Sequence, residues 1–159
     1  MTEIRITEEP ADGADGARLL SAQKQELADR YGELTGPAVT PTPGSQLTVF
    51  LVTRDAATGE ALGCGALHEH TPEIVEIKRM YVTPAARRRQ LGREILRSLE
   101  REAALRHFVT VRLEIGDRQP EAEALYAGAG YRAIECWGDY ASDPRARCYE
   151  RDITPAPAD

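Results

Sequence analysis

Lysine is nearly missing from this chain. Of its 159 residues only Lys24 and Lys78 are lysines, so all but two of the 20 Lys and Arg charges are arginine. No run of eighteen apolar residues occurs, which excludes a membrane-spanning helix. The opening residues, MTEIRITEEP, are acidic and lack the apolar centre a secretory signal needs. Cysteine is scarce, odd in number and scattered, at Cys64, Cys136 and Cys148. That pattern argues against a disulfide framework or a zinc site and predicts free thiols in a reducing cytoplasm. Internal repeats are absent. Excess positive charge is absent too: the net charge of −6 excludes non-specific attraction to nucleic acid or an anionic membrane surface.

What is present suits an ordinary globular chain, with 29% charged and 42% hydrophobic residues. The length fits one domain, taken as residues 1–153, with a frayed tail over 154–159. Alternation over Ile4–Thr7 predicts a first strand. Leu20, Lys24, Leu27 and Tyr31 recur at helical spacing from about Ala17, and Gly32 offers a stop. Residues 33–46 hold three prolines and two glycines, the composition of a binding loop, a lid or a tolerated surface insertion. Segments 47–54, 61–70 and 74–82 read as three strands of an antiparallel meander, with Gly63 and Gly65 marking close backbone contact or a bulge. A helix follows to about His107, then a strand over 109–115. A second helix starts at Gln119-Pro120, with acids in its first turn and Gly130 as its stop. Residues 131–137 and 147–153 read as closing strands.

The chemistry concentrates in residues 73–97, EIVEIKRMYVTPAARRRQLGREILR. Arg87, Arg88, Arg89 and Arg93 crowd the start of a helix, where the macrodipole favours acids. Arginines at that place oppose the dipole unless an anion sits among them, held by free backbone N–H groups and guanidiniums. Gly92 leaves room for its approach. The competing explanation is a solvated basic helix end. Within an acidic protein the pattern favours a small anionic ligand over a polyanion.

Two blocks carry a family resemblance. Arg87-Arg88-Arg89-Gln90-Leu91-Gly92 occupies the frame Arg/Gln-x-x-Gly-x-Gly/Ala, with Gln90 replacing the first glycine, and follows Glu76-Ile77-Lys78-Arg79-Met80-Tyr81-Val82 and Pro84. The second block is Leu113-Glu114-Ile115-Gly116, Gln119-Pro120-Glu121-Ala122, Leu125-Tyr126 and Gly130-Tyr131. In this order the chain resembles the GNAT superfamily of acetyl-CoA-dependent N-acetyltransferases, small bacterial type. The resemblance implies an α/β fold: a mixed, mostly antiparallel sheet of six to seven strands flanked by about four helices. It implies acetyl-CoA as co-substrate, bound by Met80, Tyr81, Val82, Arg87, Arg88, Arg89, Gln90, Leu91, Gly92, Arg93 and Gln119. It also implies Tyr126 as the acid beside the thioester sulfur.

Acyl transfer to an amine needs a base, an oxyanion donor and a proton for the departing thiolate. Tyr126 stays protonated at neutral pH and can donate, although the same spacing suits a tyrosine packed on the sheet. A backbone N–H near Tyr81 or Val82 is the expected oxyanion donor. Glu76 is the candidate base, with Glu73 and Glu69 behind it. Strand alternation predicts Glu76, Lys78, Met80 and Val82 on one face, which equally allows a Glu76–Lys78 ion pair. His68-Glu69-His70 supplies too few ligands for a metal site, and no metal is expected. Cys64 has no histidine partner for nucleophilic catalysis.

The expected function is therefore direct acetyl transfer to the primary amine of a small molecule. Two alternatives remain at this level: a non-catalytic acyl-CoA-binding sensor, and acetylation of a protein or peptide amine. No nucleic acid or membrane partner is expected. The localisation expected is cytoplasmic, and a homodimer is an open expectation because dimers are common among such families.

Overall fold

The computed structural model describes residues 3–32 and 46–157. The irregular segment expected over 33–46 falls, except for its last residue, outside these. Seven strands form one sheet: β1 (Ile4–Glu8), β2 (Val49–Asp55), β3 (Ala61–Glu69), β4 (Ile74–Val82), β5 (Thr110–Gly116), β6 (Arg132–Ile134) and β7 (Ala146–Asp152). Their spatial order is β1-β2-β3-β4-β5-β7-β6. Only β4 and β5 run parallel, and every other neighbour is antiparallel. Three α-helices are present among the described residues, α1 (Ala14–Tyr31), α2 (Leu91–Leu105) and α3 (Pro120–Gly128), one fewer than the four expected. Two short 3-10 turns, Pro84–Ala86 and Gly138–Ser142, complete the set.

Helix α2 forms because Leu91, Ile95, Leu96, Leu99 and Ala103 make one apolar stripe, and all five are buried. The last four pack with Leu51, Leu67, Val75, Ile77, Val111 and Leu113 into the main core, while Leu91 packs with Leu62 and Ala86. Full burial of each such aliphatic side chain contributes about 1.5–3 kcal/mol. Helix α1 covers the other face, where Leu19 meets Phe50, Val52, Cys64, Ala66 and Tyr81. Its packed side differs from the stripe expected: Lys24 is exposed, while Leu19 is buried and Gln23 reaches the sheet. Helix α3 starts at Pro120 and ends before Gly130, whose φ of 90° is the left-handed stop that glycine favours.

Strand β4 departs from simple alternation. Cys64 pairs with Tyr81 and Ala66 with Lys78, so three steps on β4 oppose two on β3. Arg79, at φ 62°, absorbs the extra residue as a β-bulge. The expectation that Glu76, Lys78, Met80 and Val82 share a face is thereby corrected. Met80 and Val82 pack against the α2 core, whereas Tyr81 joins the α1 side. Glu76 and Lys78 lie on that second side, bonded to Tyr140 above it.

The cysteine expectation is also corrected. Cys136 and Cys148 form a disulfide with Cα atoms 5.1 Å apart, and Cys64 alone is free. Distance along the chain hid the pair. The antiparallel register sets Ile134 opposite Cys148, which brings Cys136 to the same edge. The 131–137 strand is correspondingly short, ending at Ile134 where the disulfide takes over. Within the expected tail, Ala156 N–H donates to Ala104 O at 2.9 Å. Among the described residues no helix is long and apolar enough to cross a membrane.

Gly63 is fixed by close approach, since a Cβ there would stand 2.6 Å from the Tyr81 carbonyl oxygen. Gly63→Ala should cost about 1–3 kcal/mol by overpacking. The measurement is a urea unfolding curve: a lowered midpoint with unchanged slope is expected, and an unchanged midpoint would show that the strand pair yields freely.

Candidate active site

The pairing of β4 with β5 runs from Ile74–Thr110 to Ile77–Leu113 and stops. Both strands continue, β4 to Val82 along β3 and β5 to Gly116 along β7. A wedge-shaped gap therefore opens in mid-sheet, directly after the pairs that precede the Arg79 bulge. Backbone groups in a gap need partners. Met80 O accepts from Gln23 Nε2 at 3.0 Å, and Val82 O accepts from Arg87 Nε at 3.0 Å. The Gln23 Oε1 atom is buried with no partner, an acceptor left at the same place.

The basic turn stands where β4 leads into α2. Arg88 and Gln90 both adopt left-handed backbone, φ 69° and 61°. That geometry explains the glycine expected at position 90, because a side chain there is sterically disfavoured. Helix α2 has no side-chain cap, and its first backbone bond runs from Glu94 N–H to Gln90 O. The amides of Leu91, Gly92 and Arg93 thus form an uncapped N-terminus. Arg87 is committed to Glu26 and Val82 O. Arg88, Arg89 and Arg93 are exposed and make no ion pair among the described residues. A Cβ on Gly92 would touch only Leu125, at 3.4 Å. Gln119 holds the N-cap position of α3 without a side-chain capping bond, and Met80, Tyr81 and Val82 border the gap.

Tyr126 is buried on the α2 side of the sheet, edge-on to Tyr131 with centroids 5.7 Å apart. Tyr131 donates its proton to Glu100 at 2.8 Å. The Tyr126 hydroxyl has no such acceptor among the described residues. Burial raises its pKa well above the usual phenol value, so it remains protonated.

A polar cluster occupies the opposite face. Glu76 is 3% exposed and fully engaged. His70 Nε2 lies 2.7 Å from its Oε1, while the Tyr140 hydroxyl donates to Oε2 at 3.0 Å and Lys78 Nζ lies 3.4 Å from it. Burial pushes the Glu76 carboxyl up, but the His70 hydrogen bond and the Lys78 charge outweigh it, and the net shift is downward. Lys78 also donates to Tyr140 Oη at 3.0 Å. The Glu76–Lys78 pair envisaged from alternation is therefore present, within a larger network. Trp137 closes over this cluster, 5.9 Å from His70 and 5.3 Å from Tyr140, with the Arg112 guanidinium 4.7 Å from its ring centre. His68 turns instead toward Gln46 O, and no metal-ligating group is found among the described residues.

Glu114 was missed by sequence reasoning. It sits on β5 one residue past the last β4–β5 pair, on the gap's edge. Burial, then the charges of Asp143 and Glu76, raise its pKa to about 7, with Lys78 opposing. Its signal was the polar alternation of Arg112 and Glu114 within VTVRLEI, which looks the same for a solvent-facing strand face.

This sheet, parted at β4 and β5 beside a basic uncapped helix start, matches known proteins. The Acetyltransferase (GNAT) family profile covers residues 18–131, and the chain belongs to that family. It is an N-acetyltransferase. It is 36% identical over 105 residues to an IAA acetyltransferase of Azospirillum brasilense, covering 65% of this chain and 67% of that one. A Klebsiella pneumoniae structure provisionally assigned as an acyl-CoA N-acyltransferase superposes with TM-score 0.79 at 30% identity, over 94% of this chain and 97% of that one. A GNAT acetyltransferase of Elizabethkingia anophelis, solved with acetyl-CoA bound, shares the fold at TM-score 0.70 and 16% identity, over 94% and 98% of the two chains.

If the basic turn holds an anionic ligand, Arg88→Ala with Arg93→Ala should weaken coenzyme A binding while leaving the melting curve intact. Each charge-assisted hydrogen bond lost costs on the order of 1.5–3 kcal/mol. Titration calorimetry checks it; unchanged affinity would return the turn to a solvated helix end.

Proposed function

We propose that this enzyme transfers the acetyl group of acetyl-CoA to the primary amine of a small molecule by direct attack, without an acyl-enzyme. The observation that carries the reading is the gap between β4 and β5, which has the protonated Tyr126 phenol, without a hydrogen-bond acceptor among the described residues, on one face and a carboxyl of pKa about 7 on the other. Two substrates can then approach from opposite faces and meet in the opening. The fit to acetyl-CoA rests on this chain's own groups: the uncapped α2 amides, Arg88, Arg89 and Arg93 for the pyrophosphate, and the Met80–Val82 edge for the pantetheine arm. Acetyl-CoA supplies an activated thioester.

The residues divide the proton work. Glu114 takes the proton of the acceptor ammonium, directly or through one water, so that the lone pair is free to attack. A backbone N–H near Tyr81 or Val82 donates to the developing oxyanion. Tyr126 gives its proton to the departing thiolate. Glu76 faces the same side as Glu114, but its lone pairs are occupied and its pKa is depressed. We assign it to holding His70, Lys78 and Tyr140 in place around the amine, and the base to Glu114.

The pH dependence follows. Glu114 must be ionised to act, so kcat/KM should rise with pH through about 7 and level off above it. The stability effect has the opposite sense. An acid whose folded pKa lies above its unfolded value of 4.5 favours the folded state less as pH rises from there through about 7. Glu114→Gln should abolish the acid limb of the rate profile and slow turnover by about 10²-fold or more. The profile is read with acetyl-CoA and a panel of amines, products being detected by mass. An unchanged limb would move the base elsewhere, Glu76 first.

Tyr126→Phe keeps the ring and removes only the donor. As the acid, it should lose roughly 10²-fold in kcat with acetyl-CoA affinity nearly unchanged. Paired kcat and Kd measurements decide it. A lowered melting temperature with intact kcat would make Tyr126 a packing residue.

A further inference from the structure

The disulfide lies against the proposed site. Cys148 stands directly opposite Glu114 in the β5–β7 register, so its side chain is the cross-strand neighbour of that carboxyl on the same face. Cys136 is the residue immediately before Trp137. The bond therefore closes residues 137–147 into a loop, and that loop carries both groups that cover the polar cluster: Trp137 over Arg112 and His70, and Tyr140 on Glu76 and Lys78. Backbone pairing of β6 with β7 ends at Ile134–Cys148, so beyond it the disulfide alone extends the attachment of Cys136 to the sheet.

Stability gives little reason for such a bond. Small domains with insufficient cores depend on disulfides, whereas this chain has a continuous core across the central strands and α2. The two sulfurs differ in access: Cys136 is half-buried, while Cys148 is buried in the sheet. Cys64, the remaining thiol, is fully buried, and burial pushes its pKa up to about 12, so it cannot reshuffle the pair.

We infer that Cys136–Cys148 is a thiol–disulfide exchange site that fixes the wall of the acceptor side, and that a dithiol reductant releases this wall. This deepens the proposed function and rests on it for the acceptor. In the exchange, a reductant thiolate attacks Cys136 Sγ, the Cys136–Cys148 bond breaks, and Cys148 leaves as a thiolate that takes a proton. The second reductant sulfur then attacks the first, expels the Cys136 thiolate, which is protonated, and leaves as a disulfide. Two electrons and two protons pass to the protein. The oxidised form has Tyr140 and Trp137 preorganised around Glu76, and is the form with higher acceptor affinity.

Trp137 is the sole tryptophan, which makes the wall visible by fluorescence. The experiment compares the full chain oxidised, the same protein treated with dithiothreitol, and Cys136→Ser. Alkylation of denatured samples should count one free thiol in the first and three in the second. Reduction is expected to shift Trp137 emission to the red and to speed amide exchange over residues 137–147 while leaving α2 unchanged. Reoxidation should restore both, and Cys136→Ser should already resemble the reduced form and ignore dithiothreitol. With a turned-over amine, the acceptor KM should rise by about tenfold or more on reduction, since preorganisation is lost, with acetyl-CoA affinity unchanged. Identical emission and exchange at one and three free thiols would overturn the inference. An acceptor KM that falls on reduction would overturn the assignment of the oxidised form as the tighter one. Failure to turn over any amine counts against the proposed function alone, and leaves emission and exchange to decide the exchange site.

Discussion

A strand with one extra residue on one of its two pairing edges cannot keep both registers. That constraint, met at Arg79, organises the molecule. Before the bulge, β4 pairs with both neighbours; after it, only with β3. The same bulge moves Met80 and Val82 into the α2 core and turns Tyr81 toward α1. The break in the sheet is thus the cost of a local backbone choice, and the surrounding core over-determines it. The two glycines opposite, Gly63 and Gly65, let β3 and α2 come close enough to hold the distorted strand.

The carboxylates on the far face show how environment divides labour between like groups. Glu76 and Glu114 sit on adjacent strands and both are removed from water, but one has three polar partners and the other faces a second carboxylate. The first is driven toward the permanently charged state and the second toward titration near neutrality. The Tyr126 phenol, on the opposite face, is held protonated by burial alone.

Much of this was legible in the sequence. The meander, α2 and its basic start, and the Pro120 entry to α3 all follow from periodicity and terminal chemistry that the structure keeps. The failures share one cause: sequence patterns report neighbours along the chain. The bulge at Arg79 has no compositional mark, so alternation put Met80 on the wrong face. Glu114 was given no role beyond its place in the second sequence block, because nothing local announces the Trp137–Tyr140 cover. Cys136 and Cys148 looked scattered because their proximity exists only once β6 and β7 pair. Glu76 was picked out on the central strand with Lys78 as a neighbour, but His70 and Tyr140 reach it from outside that strand, and Tyr140 lies 64 residues further along the chain.

The scarcity of lysine takes on chemical meaning beside a thioester. Acyl thioesters acylate free primary amines without any enzyme, and a protein that concentrates one on its surface exposes its own lysines to that reaction. Arginine carries the same charge but stays protonated and is a poor nucleophile. Here the basic turn takes its positive charge wholly from arginine, Lys78 is tied to Glu76 and Tyr140, and Lys24 is the single lysine side chain presented to water. Positive charge is thus supplied in a form that a thioester does not consume.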